Sequence, residues 1–127
     1  MPFGPSQGQA FNRTRQVSLA TELLVANTHW TRLRGLVGLS RNDFRNGCGI
    51  WILPCHGVHT LGMQFAIDVA YLDEEKTVIH IERGLKPWRF AAVKSKAKSV
   101  LELPTETLAE TGTEVGDKIE IMLKGQE

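Results

Sequence analysis

Short apolar runs bounded by glycine, proline and polar turns constrain this sequence more than any other feature. Residues 47–54 (GCGIWILP) and 67–73 (IDVAYLD) are too short for long helices, and their bounded apolar character is typical of buried strands. Residues 77–82 (TVIHIE) alternate in character after the polar turn at 73–76, which predicts a β-hairpin with the second run. Further strands are predicted at Val100–Leu103, at Lys118–Leu123 and, as one or two strands, between Gln16 and Asn27.

Only two short helices are expected. Thr28 can cap the first, because Trp30, Leu33, Leu36 and Val37 follow at helical spacing before Gly38. The second covers 105–111 (TETLAET) after a proline and ends at a glycine. The sequence therefore predicts an α+β, mostly β fold, in which one compact domain holds a curled or barrel-like, mainly antiparallel sheet and two short helices. Residues 1–14, rich in proline and glycine, are expected to be a flexible tail before a single domain at 15–127.

Charge and hydropathy narrow the classes of partner. The 127 residues carry a net charge of +1, too weak a field to favour nucleic acid as the main partner. Lys94, Lys96 and Lys98 alternate with small residues, which predicts a solvated face of an extended segment. No apolar run reaches the ~18 residues of a membrane span, and the first residues do not resemble a signal peptide. We expect a soluble, cytoplasmic protein, or a periplasmic or extracytoplasmic one if a signal has been removed.

Four segments together resemble a known family. They are WTRLRGLVGLS (30–40), GIWILP (49–54), HTLGMQFAIDVAYLD (59–73) and SVLELPTETLAETGTEVGDKIEI (99–121). Their order and spacing, over residues 17–123, resemble the bacterial and archaeal family known as domain of unknown function 192. Many members carry a tryptophan–methionine–lysine–asparagine–threonine run where this chain has His59–Met63, so the chain resembles a variant branch with a His-Thr-x-x-Met motif. The resemblance implies a fold, but no activity is established for the family.

The densest group of reactive side chains is Cys48, Cys55, His56 and His59. Thiolates and imidazoles are the usual ligands of zinc, so these four are the candidate metal site, although their spacing is not that of paired zinc knuckles. Alternatively, Cys55 is a nucleophile with His59 or His56 as its base. A third interpretation makes both cysteines small core residues. The sequence leaves these alternatives open.

Candidate ligand-binding residues cluster in the same central segment and on the first helix. They are His59, Thr60, Met63, Asp68, Arg32 and Arg34. His59 shares the alternation of Met63, Phe65 and Ile67, so it is expected to point inward with them. Asp is unusual within strands, so Asp68 is expected either to accept backbone N–H groups or to face a pocket. One of the two arginines is expected to pair inward with Asp68 or Glu102, and Arg34 can stack on Trp30.

These features favour a non-enzymatic accessory or binding domain over an enzyme, without deciding between them. Its small polar pocket would lie around Cys55–Asp68, with the Trp30–Arg34 helix as one wall and an unidentified small ligand or protein as partner. The competing hypothesis is a small metal- or thiol-dependent enzyme built on the cysteines and histidines, with zinc as its candidate cofactor. A third hypothesis, a structural partner in a cell-envelope assembly, rests on loose association with the family. The oligomeric state is left open.

Overall fold

Seven strands and one short helix organise the chain. A computed structural model describes residues 4–28, 31–32 and 36–125. The elements are β1 (Gly8–Asn12), β2 (Val17–Ala26), β3 (Cys48–Ile52), β4 (Ile67–Leu72), β5 (Val78–Leu85), β6 (Ser99–Pro104), α1 (Thr107–Thr111) and β7 (Ile119–Leu123).

The strands form one curled sheet in the order β5-β4-β6-β3-β2-β1-β7. Every neighbouring pair is antiparallel except β2 and β3. The two edge strands meet at one end, where the N–H of Val78 donates to the carbonyl of Asp117 (2.9 Å) and the N–H of Ile119 donates to that of Lys76 (2.9 Å). The sheet is therefore a half-barrel, which confirms the predicted mostly β, curled and mainly antiparallel fold.

Alternation along the strands gives the sheet two apolar faces. The concave face gathers side chains from all seven strands and from α1, among them Leu23, Trp51, Leu101 and Leu108. The convex face is buried only over the middle of the sheet, where Ile50, Val69 and Val100 pack against side chains of the connecting segments. Each of β3, β4 and β6 is buried along its whole length because it contributes to both cores.

The predicted flexible tail is wrong over residues 8–12, which form β1 between β2 and β7. The signal is weak because GQAFN carries one large apolar residue. Gly8 is required there, since a Cβ atom would overlap the carbonyl oxygen of Met122. Asn12 is fully buried, and its side-chain amide donates to Thr113 (3.0 Å) and Asp117 (2.9 Å). Hydrogen bonds from Asn12 to the turn before β7 thus stabilise this strand, which lacks the alternating apolar residues by which a strand is predicted.

The two predicted helices have different outcomes. The second is α1, which Gly112 ends in a left-handed conformation (φ 69°). For the first, Thr28 accepts a hydrogen bond from the N–H of Thr31 (3.1 Å), as an N-cap does, and residues 31–32 are helical. Its other predicted residues before Leu36, including Trp30, Leu33 and Arg34, lie outside the described residues. The described part of the chain therefore holds one complete short helix, not two.

The predicted extended lysine face is also wrong. Residues 94–98 form a turn, closed by a hydrogen bond from the N–H of Ala97 to the carbonyl of Lys94 (3.0 Å), and β6 begins only at Ser99. Lys94, Lys96 and Lys98 are all exposed, as expected. In the described part of the chain, no helix is long and apolar enough to cross a membrane.

Candidate functional site

The central segment lies across the convex face as one half of an irregular two-stranded ribbon. Residues 56–60 and 88–94, called the ribbon below, are joined by backbone hydrogen bonds. These run from Lys94 N–H to His56 O (2.8 Å), from Ala91 N–H to Val58 O (3.0 Å), from Thr60 N–H to Arg89 O (2.8 Å) and from Trp88 N–H to Thr60 O (2.9 Å). Because these four hydrogen bonds join its two halves, the ribbon is a defined surface rather than two separate loops.

Two contacts fix the ribbon on the sheet. The hydroxyl of Tyr71, on the convex face of β4, donates to the carbonyl of Ala92 (2.7 Å). Gly57 also permits a close approach, because a Cβ atom there would come within 3.0 Å of the carbonyl oxygen of Ala92. Val58 packs against the convex core below. The ribbon therefore covers the convex core and presents its outer side to solvent.

Thr60 is a structural anchor of this ribbon. It is fully buried, and its hydroxyl donates to the carbonyl of Lys86 (2.6 Å) and accepts from the N–H of Arg89 (2.9 Å). Met63 is buried in the convex core. Neither side chain is free to contact a ligand from solvent; both shape the segment that displays its neighbours.

His59 does not share the inward orientation of Met63, so that expectation is wrong. The turn at Leu61–Gly62, where Gly62 has φ 82°, shifts the alternation and buries Thr60 instead. The ring of His59 is exposed and lies 6.2 Å from the ring of Phe90 between centroids. Its Nδ1 accepts a hydrogen bond from the N–H of Leu61 (3.2 Å).

The two cysteines behave as core thiols. Cys48 is fully buried at the start of β3, and burial raises the pKa of its thiol. The thiol of Cys55 donates to the carbonyl of Gly57 (2.9 Å), and burial raises its pKa as well. A catalytic thiol needs a lowered pKa and a base within hydrogen-bond reach. Cys55 has no hydrogen bond to either nearby imidazole within the described part of the chain, so the geometry gives no support to the nucleophile hypothesis.

The predicted zinc ligands are not brought together. The exposed ring of His56 has its Nδ1 2.6 Å from the carbonyl oxygen of Ala97, away from any thiol contact. Among residues 4–28, 31–32 and 36–125, no three His, Cys, Asp or Glu side chains are placed to hold a metal ion. The structure therefore gives the four-ligand set no support, because its members lie in different surroundings, and zinc binding stays a prediction for Cys48, Cys55, His56 and His59.

Asp68 is buried on the concave side of β4 and ties three elements together. Its Oδ1 accepts from the N–H of Gly84 in β5 (2.9 Å), and its Oδ2 accepts from the N–H of Leu108 in α1 (3.0 Å). This is the structural alternative of the two expected for Asp68. Arg32 is half-buried, and its guanidinium donates to the carbonyls of Pro54 (3.1 Å) and Thr28 (3.3 Å), not to a described carboxylate. Arg34 lies outside the described residues.

Glu102 was expected only as a possible partner of an arginine, but the structure gives it unusual surroundings. It lies in the middle of β6, on the convex face, opposite Ile50 and Val69, and is 3% exposed. Its Oε1 has no hydrogen-bond partner among the residues that the structure describes. Burial raises its pKa to about 8. A glutamate between apolar neighbours in SVLELP was the available signal.

The outer side of the ribbon and its flanks is apolar and basic. Trp88, Phe90 and Val93 are 65%, 77% and 78% exposed, a rare degree for such large apolar side chains. Residues 83–98 carry six of the chain's fifteen basic side chains and no acidic one. The rest of the chain, with nine basic and fourteen acidic residues, is net negative. The exposed apolar side chains of the ribbon thus lie in a basic segment of a chain that is otherwise net negative.

Comparison with protein families bears on the predicted resemblance. The family model for DUF192, described as "Uncharacterized ACR", matches residues 10–121. The chain is 32% identical over 114 residues to a UPF0127 protein of Thermococcus sibiricus, covering 86% of this chain and 71% of that protein. It is 43% identical over 76 residues to a UPF0127 protein of Pyrococcus abyssi, covering 56% of this chain and 64% of that protein. The family resemblance is confirmed; the variant branch stays a prediction.

Two solved structures share the fold. A Novosphingobium aromaticivorans protein of unknown function has a TM-score of 0.73 and covers 90% of this chain and 83% of its own. A Sinorhizobium meliloti protein described as a candidate transcription regulator has a TM-score of 0.70 and covers 93% of this chain and 97% of its own. Both are 17% identical to this chain, so the likeness concerns the fold alone.

Proposed function

We propose that this chain, which belongs to the DUF192 family of uncharacterised proteins, is a non-enzymatic binding module that docks on an anionic membrane surface through its ribbon. The observation that carries the proposal is the exposure of Trp88, Phe90 and Val93 on a hydrogen-bonded support within a wholly basic segment. The binding role sought around Cys55–Asp68 is thus assigned to an outer surface rather than to a closed polar pocket.

The apolar side chains provide the first half of the argument. Leaving three large apolar groups in water is unfavourable, and burying each one is worth roughly 1.5–3 kcal/mol. Tryptophan and phenylalanine are the residues that peripheral proteins place at the boundary between headgroups and acyl chains. Trp88 also has φ 63°, a conformation that is strained for a bulky residue and tends to occur at functional sites. Its backbone N–H donates to the carbonyl of Thr60 (2.9 Å), which joins the backbone of Trp88 to the other half of the ribbon.

The basic side chains provide the second half. Six exposed basic side chains belong to the same segment as Trp88, Phe90 and Val93: Arg83, Lys86, Arg89, Lys94, Lys96 and Lys98. Each Lys or Arg near an anionic leaflet contributes about 1 kcal/mol of attraction. Since the rest of the chain is net negative, the same field orients the molecule with the ribbon toward the membrane.

Among the predicted ligand-binding residues, His59 and Arg32 remain accessible on or beside this surface, whereas Thr60, Met63 and Asp68 support it from within. The proposal is related to the cell-envelope hypothesis, because both place the protein at a membrane. Enzymatic chemistry at the cysteines is disfavoured by the raised thiol pKa values.

Vesicle flotation tests the proposal. We expect the protein to float with vesicles of phosphatidylcholine and phosphatidylglycerol in equal parts, and much less with phosphatidylcholine alone. The double variant W88S/F90S should bind about tenfold more weakly or worse, because losing more than 1.4 kcal/mol of burial changes an equilibrium by that factor. The variant K94Q/K96Q/K98Q should lose the preference for anionic vesicles.

The matched control is V115S/M122S. These two side chains are also exposed, at 61% and 40%, but belong to neither the ribbon nor the basic segment 83–98. This control should bind as the original protein does. Absence of binding to anionic vesicles, equal binding to both vesicle types, or an equal loss in the control would each contradict the proposal.

A further inference from the structure

We propose that a second surface, unrelated to the ribbon, is a binding site for a small organic carboxylate. It is a pocket of about 400 Å³ between the turn at 40–46, the start of β4 and the connection from β6 to α1. That volume falls within the roughly 300–1,000 Å³ typical of ligand sites. The residues that supply its polar groups are Arg41, Asn42, Arg45, Asn46 and Thr105.

The turn that carries these side chains is fixed from within. Asp43 Oδ2 accepts hydrogen bonds from the N–H of Ser40 (2.9 Å) and from its hydroxyl (3.0 Å). Phe44 is buried, and its ring lies 5.9 Å from that of Phe65 between centroids. Because Asp43 and Phe44 anchor the backbone, the polar side chains on either side of them belong to a preorganised turn.

The pocket contains positive charge without internal compensation. It is lined by two guanidinium groups and by no acidic residue. Arg45 lies 3.6 Å from Glu22 on one side, in a partly exposed pair. Arg41 has no ion pair or side-chain hydrogen bond with any residue that the structure describes. Its guanidinium therefore has all its donors available to a ligand.

A larger pocket at the seam of the half-barrel provides the contrast. It measures about 520 Å³ and also contains three basic side chains, but two acidic ones accompany them. Arg13 pairs with Glu120 at 3.3 Å, and Lys118 pairs with Glu75 at 3.9 Å. The seam pocket thus pairs two of its three cations with carboxylates of its own lining, whereas the Arg41 pocket has no carboxylate in its lining and leaves Arg41 without an ion pair among the described residues.

The lining also indicates which anion. The planar fork of a guanidinium matches a carboxylate in bidentate geometry, and carboxamides of Asn42 and Asn46 can donate to the same oxygens. The edges of Phe44 and Phe65, with Pro104, form an apolar side against which a hydrocarbon or aromatic body can pack. Inorganic phosphate would satisfy the cations but leave this apolar side without a contact.

Titration of the isotope-labelled protein with benzoate, followed by amide chemical shifts, tests the inference. We expect saturable shifts at residues 41–46, Ala66 and Thr105. Benzamide, which has the same shape and no charge, should bind about tenfold more weakly, as should inorganic phosphate. R41Q/R45Q should lose benzoate binding by a similar factor, and the single variant R41Q, which keeps the Arg45–Glu22 pair, should lose most of it.

The control variant R13Q/K118Q removes the same charge from the seam pocket and should bind benzoate unchanged. Three results would each overturn the inference: no saturable shift at 41–46 with benzoate, equal responses to benzoate and benzamide, or tighter binding of phosphate than of benzoate. None of these results depends on vesicle binding, because no ribbon residue lines the pocket.

Discussion

The concave and convex faces of the half-barrel treat buried carboxyl groups in opposite ways. On the concave side, Asp68 accepts one backbone N–H on each oxygen and joins β4 to β5 and α1. On the convex side, Glu102 is equally buried, yet its Oε1 has no partner among the described residues, and burial raises its pKa to about 8. Both residues occupy central strands that pair with each other in register. Burial alone therefore does not decide what a carboxyl group does.

The difference concerns what covers each face. Around Asp68, α1 and the β5 bulge bring backbone N–H groups that need an acceptor, so the carboxylate completes the structure. Over the convex face, the ribbon's backbone bonds are made within the ribbon and to the Tyr71 hydroxyl, and no described group donates to Glu102 Oε1. A carboxyl group in such surroundings is more stable in its neutral form. We therefore expect removal of the Asp68 carboxylate to lower the stability of the fold, and the protonation of Glu102 to make that stability depend on pH.

Replacing Asp68 should give the largest effect. The variant D68A leaves two buried backbone N–H groups without their acceptor, and each bond to a charged group is worth about 1.5–3 kcal/mol. We expect the free energy of unfolding in urea to fall by roughly 3–5 kcal/mol. Asp73 is the matched control, because its Oδ1 also accepts two backbone N–H groups (2.9 Å each), but in a turn open to water. A loss in D73A as large as that in D68A would contradict the role of burial.

Replacing Glu102 should change the pH dependence of stability. Its pKa is about 8 in the folded protein against an ordinary value of 4.5, so the folded state holds a proton that the unfolded state releases between these values. The contribution of this proton to the free energy of unfolding is therefore fully present below pH 4.5 and is lost as the pH rises to about 8, at up to about 1.4 kcal/mol per pH unit. The variant E102Q should remove this slope. Urea unfolding at successive pH values measures it, and an unchanged slope would contradict the assignment.

Elements with a local sequence pattern could be predicted, whereas elements stabilised by tertiary partners could not. The hairpin of β4 and β5, strand β3 and helix α1 were predicted because their apolar pattern and turn residues agree with the final packing. Strand β1 was missed because its stability comes from a close glycine contact and from buried Asn12, which tertiary partners satisfy. Such partners leave no periodic signal in the strand itself.

The candidate site was predicted less well than the fold, for a related reason. Cys48, Cys55, His56 and His59 are close in sequence, yet a turn at Gly62 and the pairing of the ribbon send them into different surroundings. The segment 83–98 holds the exposed aromatic and basic groups, and it meets the central segment only through tertiary hydrogen bonds. The sequence predicted that the lysines at 94–98 are exposed, but it did not predict that Trp88 and Phe90 are exposed in the same segment.

Removing the hydroxyl of Tyr71 should give the smallest loss of stability. It also tests whether the ribbon on the convex face opens independently of the concave core. The variant Y71F loses the bond to Ala92 O, worth about 1 kcal/mol, while the ring stays packed against His80 (4.9 Å between centroids). Burial raises the pKa of this phenol, so it remains a donor throughout the pH range used for Glu102. Because this bond fixes the ribbon on the convex face, hydrogen exchange should accelerate at Ala91 N–H and Lys94 N–H.

The backbone N–H groups bound to Asp68, those of Gly84 and Leu108, are the internal control for Y71F. Their exchange should change only by the loss of global stability, because the concave face makes no use of the Tyr71 hydroxyl. Equal acceleration at both sets of N–H groups would mean that the ribbon and the concave core open together. Faster exchange confined to the ribbon would establish it as a separate unit, whose opening exposes Glu102 to water without unfolding the half-barrel.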